Sequence, residues 1–107
     1  MSRFDIKRND RLPAISVFLE AGNAAIDLTS CTVRFLMTSE ATGVLKVDGA
    51  ATVLSASTGK VSYEWGATDT DTSGVYRAEW EVTFPGGKTR TVPSKGYDTV
   101  EVHDDLD

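Results

Sequence analysis

The chain has a single cysteine, Cys31, so it closes no disulfide within itself and its stability rests on packing. It has a single histidine, His103, set in the acidic stretch that ends the sequence. A general base there lacks an orienting scaffold, and no Ser-His-Asp or Cys-His arrangement forms without laying that stretch over the core. There is no zinc-ligand spacing and no phosphate-binding glycine loop. No apolar run approaches the roughly 20 residues that a bilayer-spanning helix needs, so no membrane partner is expected. The opening Met1-Ser2-Arg3-Phe4-Asp5-Ile6-Lys7 lacks the apolar core of a secretory signal. Together these absences point to synthesis and folding in a reducing cytoplasm.

Positive charge is also scarce. Eleven Lys and Arg face sixteen Asp and Glu, for a formal net charge of −5. Residues 1–50 balance at six basic and six acidic, whereas residues 51–107 hold five basic and ten acidic and carry the whole excess. A nucleic-acid partner is not expected, because phosphate neutralisation needs a basic face. The one basic concentration is Arg3, Lys7, Arg8 and Arg11, interrupted by Asp5 and Asp10.

What the sequence does have is alternation. From Tyr76 the residues Tyr76, Ala78, Trp80, Val82 and Phe84 fall on one face of a strand, and Arg77, Glu79, Glu81 and Thr83 on the other. A period of two over nine residues is a strand with one dry and one wet face. Similar patterns predict strands at Phe4–Lys7, Pro13–Glu20, Thr32–Thr38, Lys60–Trp65, Lys88–Val92 and Tyr97–Val102. Val44–Val47 and Ala51–Leu54 flank Asp48-Gly49, a dipeptide typical of tight hairpins. No segment sustains an apolar i, i+3, i+4 pattern. The expectation is one all-β domain over residues 1–103, a two-layer antiparallel immunoglobulin-like sandwich of about eight short strands, followed by an acidic tail at 104–107. Phe35, Tyr63, Trp65, Tyr76 and Trp80 are expected to fill its core, and Cys31 to serve as a small buried hydrophobe.

Two patterns suggest ligands. Asp69-Thr70-Asp71-Thr72-Ser73-Gly74 matches the first half of a calcium-binding EF-hand loop, but Trp80 stands where a bidentate Glu is required. The structural reading of this loop has its side chains capping backbone amides and Gly74 at positive φ. Tyr63, Trp65, Trp80 and Tyr97 could form a platform for sugar rings. The first three are in phase with aliphatic neighbours, which favours a core role and leaves Tyr97 open as a surface contact. No cofactor and no enzymatic activity are expected. In Pro13–Glu20, Ile15, Val17 and Leu19 share one face and Phe18 takes the other, which predicts burial on both sides or contact with a partner.

The acidic turn followed by Gly74, one residue and Tyr76 resembles the tyrosine corner of immunoglobulin-like sandwiches. More broadly, the motifs Ile6-Lys7-Arg8-Asn9-Asp10-Arg11-Leu12-Pro13, Asp27-Leu28-Thr29 leading into Thr32-Val33-Arg34-Phe35, Gly59-Lys60-Val61-Ser62-Tyr63-Glu64-Trp65, Thr72-Ser73-Gly74-Val75-Tyr76-Arg77-Ala78-Glu79-Trp80-Glu81-Val82 and Gly96-Tyr97-Asp98-Thr99-Val100-Glu101-Val102 resemble the immunoglobulin-like module of tailed-bacteriophage virion proteins. The N-terminal domain of baseplate upper proteins is one notable form, short stand-alone phage proteins are another, and the likeness runs from about Phe4 to Val102. The resemblance implies a structural role on the virion, in a symmetric homo-oligomeric assembly with other head, neck or tail proteins. Baseplate upper proteins continue into a helical stem, whereas this sequence stops at Asp107, so a self-contained accessory protein on capsid, neck or tail is expected. Arg3, Lys7, Arg8, Arg11 and Phe18 are the expected docking residues. The alternative is a carbohydrate- or calcium-binding sandwich.

Overall fold

A computed structural model describes residues 3–93 and 98–104. Among these residues there are eleven short strands and no helix: β1 (Arg3–Lys7), β2 (Ile15–Phe18), β3 (Glu20–Ala21), β4 (Ala24–Ala25), β5 (Thr32–Ser39), β6 (Leu45–Ala50), β7 (Thr52–Ser55), β8 (Lys60–Tyr63), β9 (Gly74–Thr83), β10 (Thr89–Val92) and β11 (Asp98–His103). Two layers form the sandwich. The larger sheet runs β1-β11-β9-β5-β6, with β10 on the second half of β9, and the smaller runs β2-β8-β7. β3 and β4 make a separate two-residue ribbon. The chain is an immunoglobulin-like β-sandwich with no disulfide.

The long alternation in β9 explains why this strand is central. Tyr76, Ala78, Trp80 and Val82 are buried at 3% exposure or less, and β5 pairs with β9 over eight registered positions. The matching inward residues of β5 are Val33, Phe35 and Met37, and Phe35 becomes the hub of an aromatic cluster. Its ring stacks on Tyr63 at 4.8 Å, tilts against Trp80 at 4.7 Å and meets the edge of Trp65 at 5.7 Å. Each of these large rings removes on the order of 150–250 Å² from water, so the cluster supplies much of the apolar burial. The corner geometry is present: the Tyr76 hydroxyl donates to the Thr72 carbonyl at 2.6 Å.

Several expected features differ. Asp48-Gly49 is no hairpin turn, because β6 runs straight through it and the chain crosses to the smaller sheet around Ala51, between β6 and β7. Asp48 Oδ1 accepts from Arg34 Nε on β5 at 2.8 Å, which ties the dipeptide into the ladder. Gly49 is needed for space, since a Cβ there would stand 2.7 Å from Cε1 of Tyr63. Tyr63 lies across the sandwich from β6, and only a bare backbone lets its ring approach. The second difference is the first strand. β1 runs parallel to β11, pairing Arg3 with Thr99 through Lys7 with His103, so the sandwich is antiparallel except at this edge.

The stretch expected as one strand at Pro13–Glu20 divides into β2 and β3, because Leu19 leaves the ladder and its amide bonds the Gly59 carbonyl at 2.8 Å. Gly59 has φ +73°, and a Cβ there would stand 2.6 Å from the Leu19 carbonyl oxygen, so this crossing requires glycine. Cys31 precedes β5 and is half-buried rather than enclosed. Its Sγ lies 3.6 Å from the Thr29 carbonyl.

Candidate functional site

The edge built by β1 and β11 gathers most of the chemistry that the surface offers. Alternation sends Ile6, Val100 and Val102 into the core. On the other face Arg3, Asp5 and Lys7 then stand beside Thr99, Glu101 and His103. His103 is therefore the last residue of a paired strand, not part of a solvated tail. The main-chain partner that holds it is β1, whose pairing continues into an Arg8 amide bond to the His103 carbonyl at 2.7 Å.

These side chains form one network. His103 Nε2 lies 2.8 Å from Asp5 Oδ1, and its Nδ1 is 3.7 Å from Glu101 Oε2. The Arg3 guanidinium donates to Asp5, with Nε 3.2 Å from Oδ1, and also to Glu101. The hydrogen bond from His103, then that from Arg3, holds the Asp5 carboxyl below its ordinary range. The same contacts with Asp5 and then Glu101 raise Arg3. All the members are partly solvated, so each pair by itself adds little to stability.

Around the corner lies a groove of ≈ 440 Å³ between β1 of the larger sheet and β2 of the smaller one. Phe4, Ile15 and Val17 contribute apolar lining, Arg3 and Asp98 stand on one side, and Phe18 stands on the other. Phe18 is 58% exposed, with Lys60 Nζ 5.5 Å from its ring centroid. Both bordering strands are sheet edges, each paired on one side only among the described residues. They differ in their protection. β1 alternates charge along Arg3, Asp5 and Lys7, whereas β2 reads Ile15-Ser16-Val17-Phe18 and has none. Charged side chains are the usual defence of an edge against strand addition, and β2 lacks it.

The five docking residues expected from sequence are thus not one patch. Arg3 and Phe18 face the same groove. Lys7 borders a separate hollow with Leu12, Pro13 and His103. Arg8 Nε is 3.9 Å from Asp104 Oδ1, and Arg11 Nε donates to the Trp65 carbonyl at 3.0 Å. Arg11 therefore helps hold the loop ahead of β2 against β8's end. Leu12, 80% exposed, was not singled out in the sequence because an isolated apolar loop residue has no pattern.

The loop resembling half an EF-hand has its carboxylates engaged by protein donors. Asp69 Oδ2 accepts from the Tyr63 hydroxyl at 2.6 Å and from the Gly66 amide at 2.7 Å. Asp71 Oδ1 accepts from Lys46 Nζ at 2.5 Å and from Thr72 Oγ1 at 3.0 Å, and these contacts, Lys46 first, hold its carboxyl below the usual range. Gly74 takes φ 148°. Trp65, Trp80 and Tyr63 are enclosed at 2%, 0% and 9% exposure, so their rings offer no open platform to a sugar. Tyr97 and the residues after Asp104 lie outside the described residues.

The cluster of Asp5, Glu101 and His103 was missed in the sequence. Its local half is visible, since Glu101-x-His103 places two ligand-type side chains on one face of a strand. Its other half depends on a parallel pairing between the two ends of the chain, which no local pattern reveals.

No protein-family model and no curated protein matches the chain. Among solved structures, it is similar to CopC from Methylosinus trichosporium OB3b, with a TM-score of 0.59 and 11% identity over 100% of this chain and 89% of that one. At this identity the likeness is one of fold, and it places the chain among β-sandwiches of comparable size.

Proposed function

We propose that the chain is a non-enzymatic structural module of a tailed-phage virion, docking in many copies on a capsid, neck or tail scaffold. The observation that carries the docking part is the groove between β1 and β2, where an uncharged sheet edge and the exposed Phe18 ring lie side by side. An extended segment of a scaffold protein entering this groove would add main-chain hydrogen bonds to β2, with Phe18 and the apolar lining contributing side-chain contacts. Arg3, at the groove, would steer an acidic segment into register, while Lys7, Arg8 and Arg11 stand outside the groove and would act only as neighbouring positive charge. The virion assignment itself rests on the resemblance of the sequence motifs to phage immunoglobulin-like modules.

A carbohydrate or calcium role has less to stand on. Its aromatic residues Tyr63, Trp65 and Trp80 are enclosed, and its carboxylates Asp69 and Asp71 already accept protein donors.

Cosedimentation with tailed-phage particles tests the reading. Ser16→Lys and Phe18→Glu put charge on the β2 edge without touching a buried residue. Both variants should stay folded and fail to sediment with particles, and high salt should weaken binding of the parent protein. Normal incorporation of both variants would remove the groove from the docking account.

A further inference from the structure

We propose that Asp5, Glu101 and His103 form a binding site for a divalent transition-metal ion of the zinc class, on the outward face of the β1–β11 pair. The proposal concerns a different kind of ligand from the docking reading, and the two meet at Arg3, which borders both the groove and the cluster.

The argument starts from strand geometry. Residues i and i+2 of a strand project from the same face, and the residue directly across the ladder projects beside them. Glu101 and His103 are such a pair on β11, and Asp5 is registered opposite Glu101 on β1. The one ligand atom that each can offer lies within 4.8 Å of the other two. A nitrogen and two carboxylate oxygens make a borderline donor set, suited to zinc and its neighbours and unlike the all-oxygen shell that calcium prefers. Three ligands fixed by a ladder, with solvent on the open side, resemble a three-residue zinc site that keeps a position for water.

Two details say what binding must change. Tetrahedral ligands about 2.0–2.2 Å from zinc stand roughly 3.4 Å apart. His103 Nε2 and Asp5 Oδ1 are 2.8 Å apart, so the ion would replace their shared proton and spread the two groups by about half an ångström. The guanidinium of Arg3, bonded to both Asp5 and Glu101, already takes the place between the carboxylates that the ion would need. Arg3 is therefore a built-in competitor. Lys7, registered beside His103, adds a second positive charge nearby, and the Arg8–Asp104 pair lies just beyond. The site should accordingly bind with modest affinity, in the micromolar range.

The test is a zinc titration near neutral pH against a chromogenic chelator, on the full chain and on His103→Ala and Arg3→Gln. The parent should take up one ion at this site. His103→Ala should weaken it by at least about tenfold, and Arg3→Gln should tighten it. A purely structural ion network predicts the opposite for Arg3, since its loss would only loosen the edge. Because either variant could disturb β1, imidazole nitrogen shifts of His103 in the unmodified chain give a second measurement. Those shifts should move as zinc is added. No uptake at micromolar zinc, uptake that leaves the His103 nitrogens unmoved, or binding unchanged or weakened by Arg3→Gln would overturn the proposal.

Discussion

Both tryptophans sit in the same aromatic cluster, yet they should respond differently to one substitution. Trp65 and Trp80 are 2% and 0% exposed, and both pack against Phe35. Trp65 Nε1 donates to the Pro13 carbonyl at 3.0 Å, whereas Trp80 Nε1 is buried with no hydrogen-bond partner among the described residues. Trp→Phe removes a similar ring volume at each site, so the cavity terms are comparable. The polar terms have opposite signs. At Trp65 the change leaves the Pro13 carbonyl without its donor, a loss of about 1–3 kcal/mol. At Trp80 it deletes a donor whose desolvation is already uncompensated, which recovers a comparable amount. Trp65→Phe should therefore be the more destabilising by roughly 2–6 kcal/mol. Urea unfolding followed by far-UV circular dichroism reads this difference without depending on the fluorophore removed. Trp80→Ala keeps the burial argument separate, and should cost about 3–5 kcal/mol through the cavity it opens. If Trp80→Phe costs as much as Trp65→Phe, the indole N–H of Trp80 is satisfied in solution and the reasoning fails.

Two further predictions concern tyrosines. Tyr76→Phe deletes the bond to the Thr72 carbonyl and should cost about 1 kcal/mol in the same assay, and no change would mean that the corner bond adds nothing. The Tyr63 phenol is pushed well above its ordinary value, first by burial and then by its bond to Asp69. The folded state thus favours the protonated phenol. That contribution is complete below the ordinary tyrosine value of about 10 and is lost as pH rises from there toward the folded value. Unfolding free energy should fall more steeply above about pH 10 for the parent than for Tyr63→Phe, and parallel slopes would contradict the assignment.

The parts of the fold that were legible in the sequence are those set by local period. β9 alternates without error from Tyr76, and β5 buries Val33, Phe35 and Met37 on one face, so Tyr76, Trp80 and Phe35 stand inward. Asp48-Gly49 misled because its glycine is needed for the approach of Tyr63, a residue from the opposite layer, and not for a turn. His103 looked solvated because its partner strand lies almost the whole chain away. The same distance hid the Asp5, Glu101 and His103 cluster. The basic residues near the start were visible as composition, but their separation into a groove side and a loop end follows from where β1 stops and the chain crosses to β2. Nothing in the spacing of Arg11 announces that its guanidinium bonds the Trp65 carbonyl.

The central claim is that this sandwich works by being part of a particle. Quantitative mass spectrometry of purified tailed-phage virions from cells that express the chain tests it most directly. The account predicts that the protein copurifies with intact particles at a fixed, high copy number, and that the Phe18→Glu chain is lost from them. Particles that are complete and infectious without the protein bound, while it accumulates free in the lysate, would contradict the account.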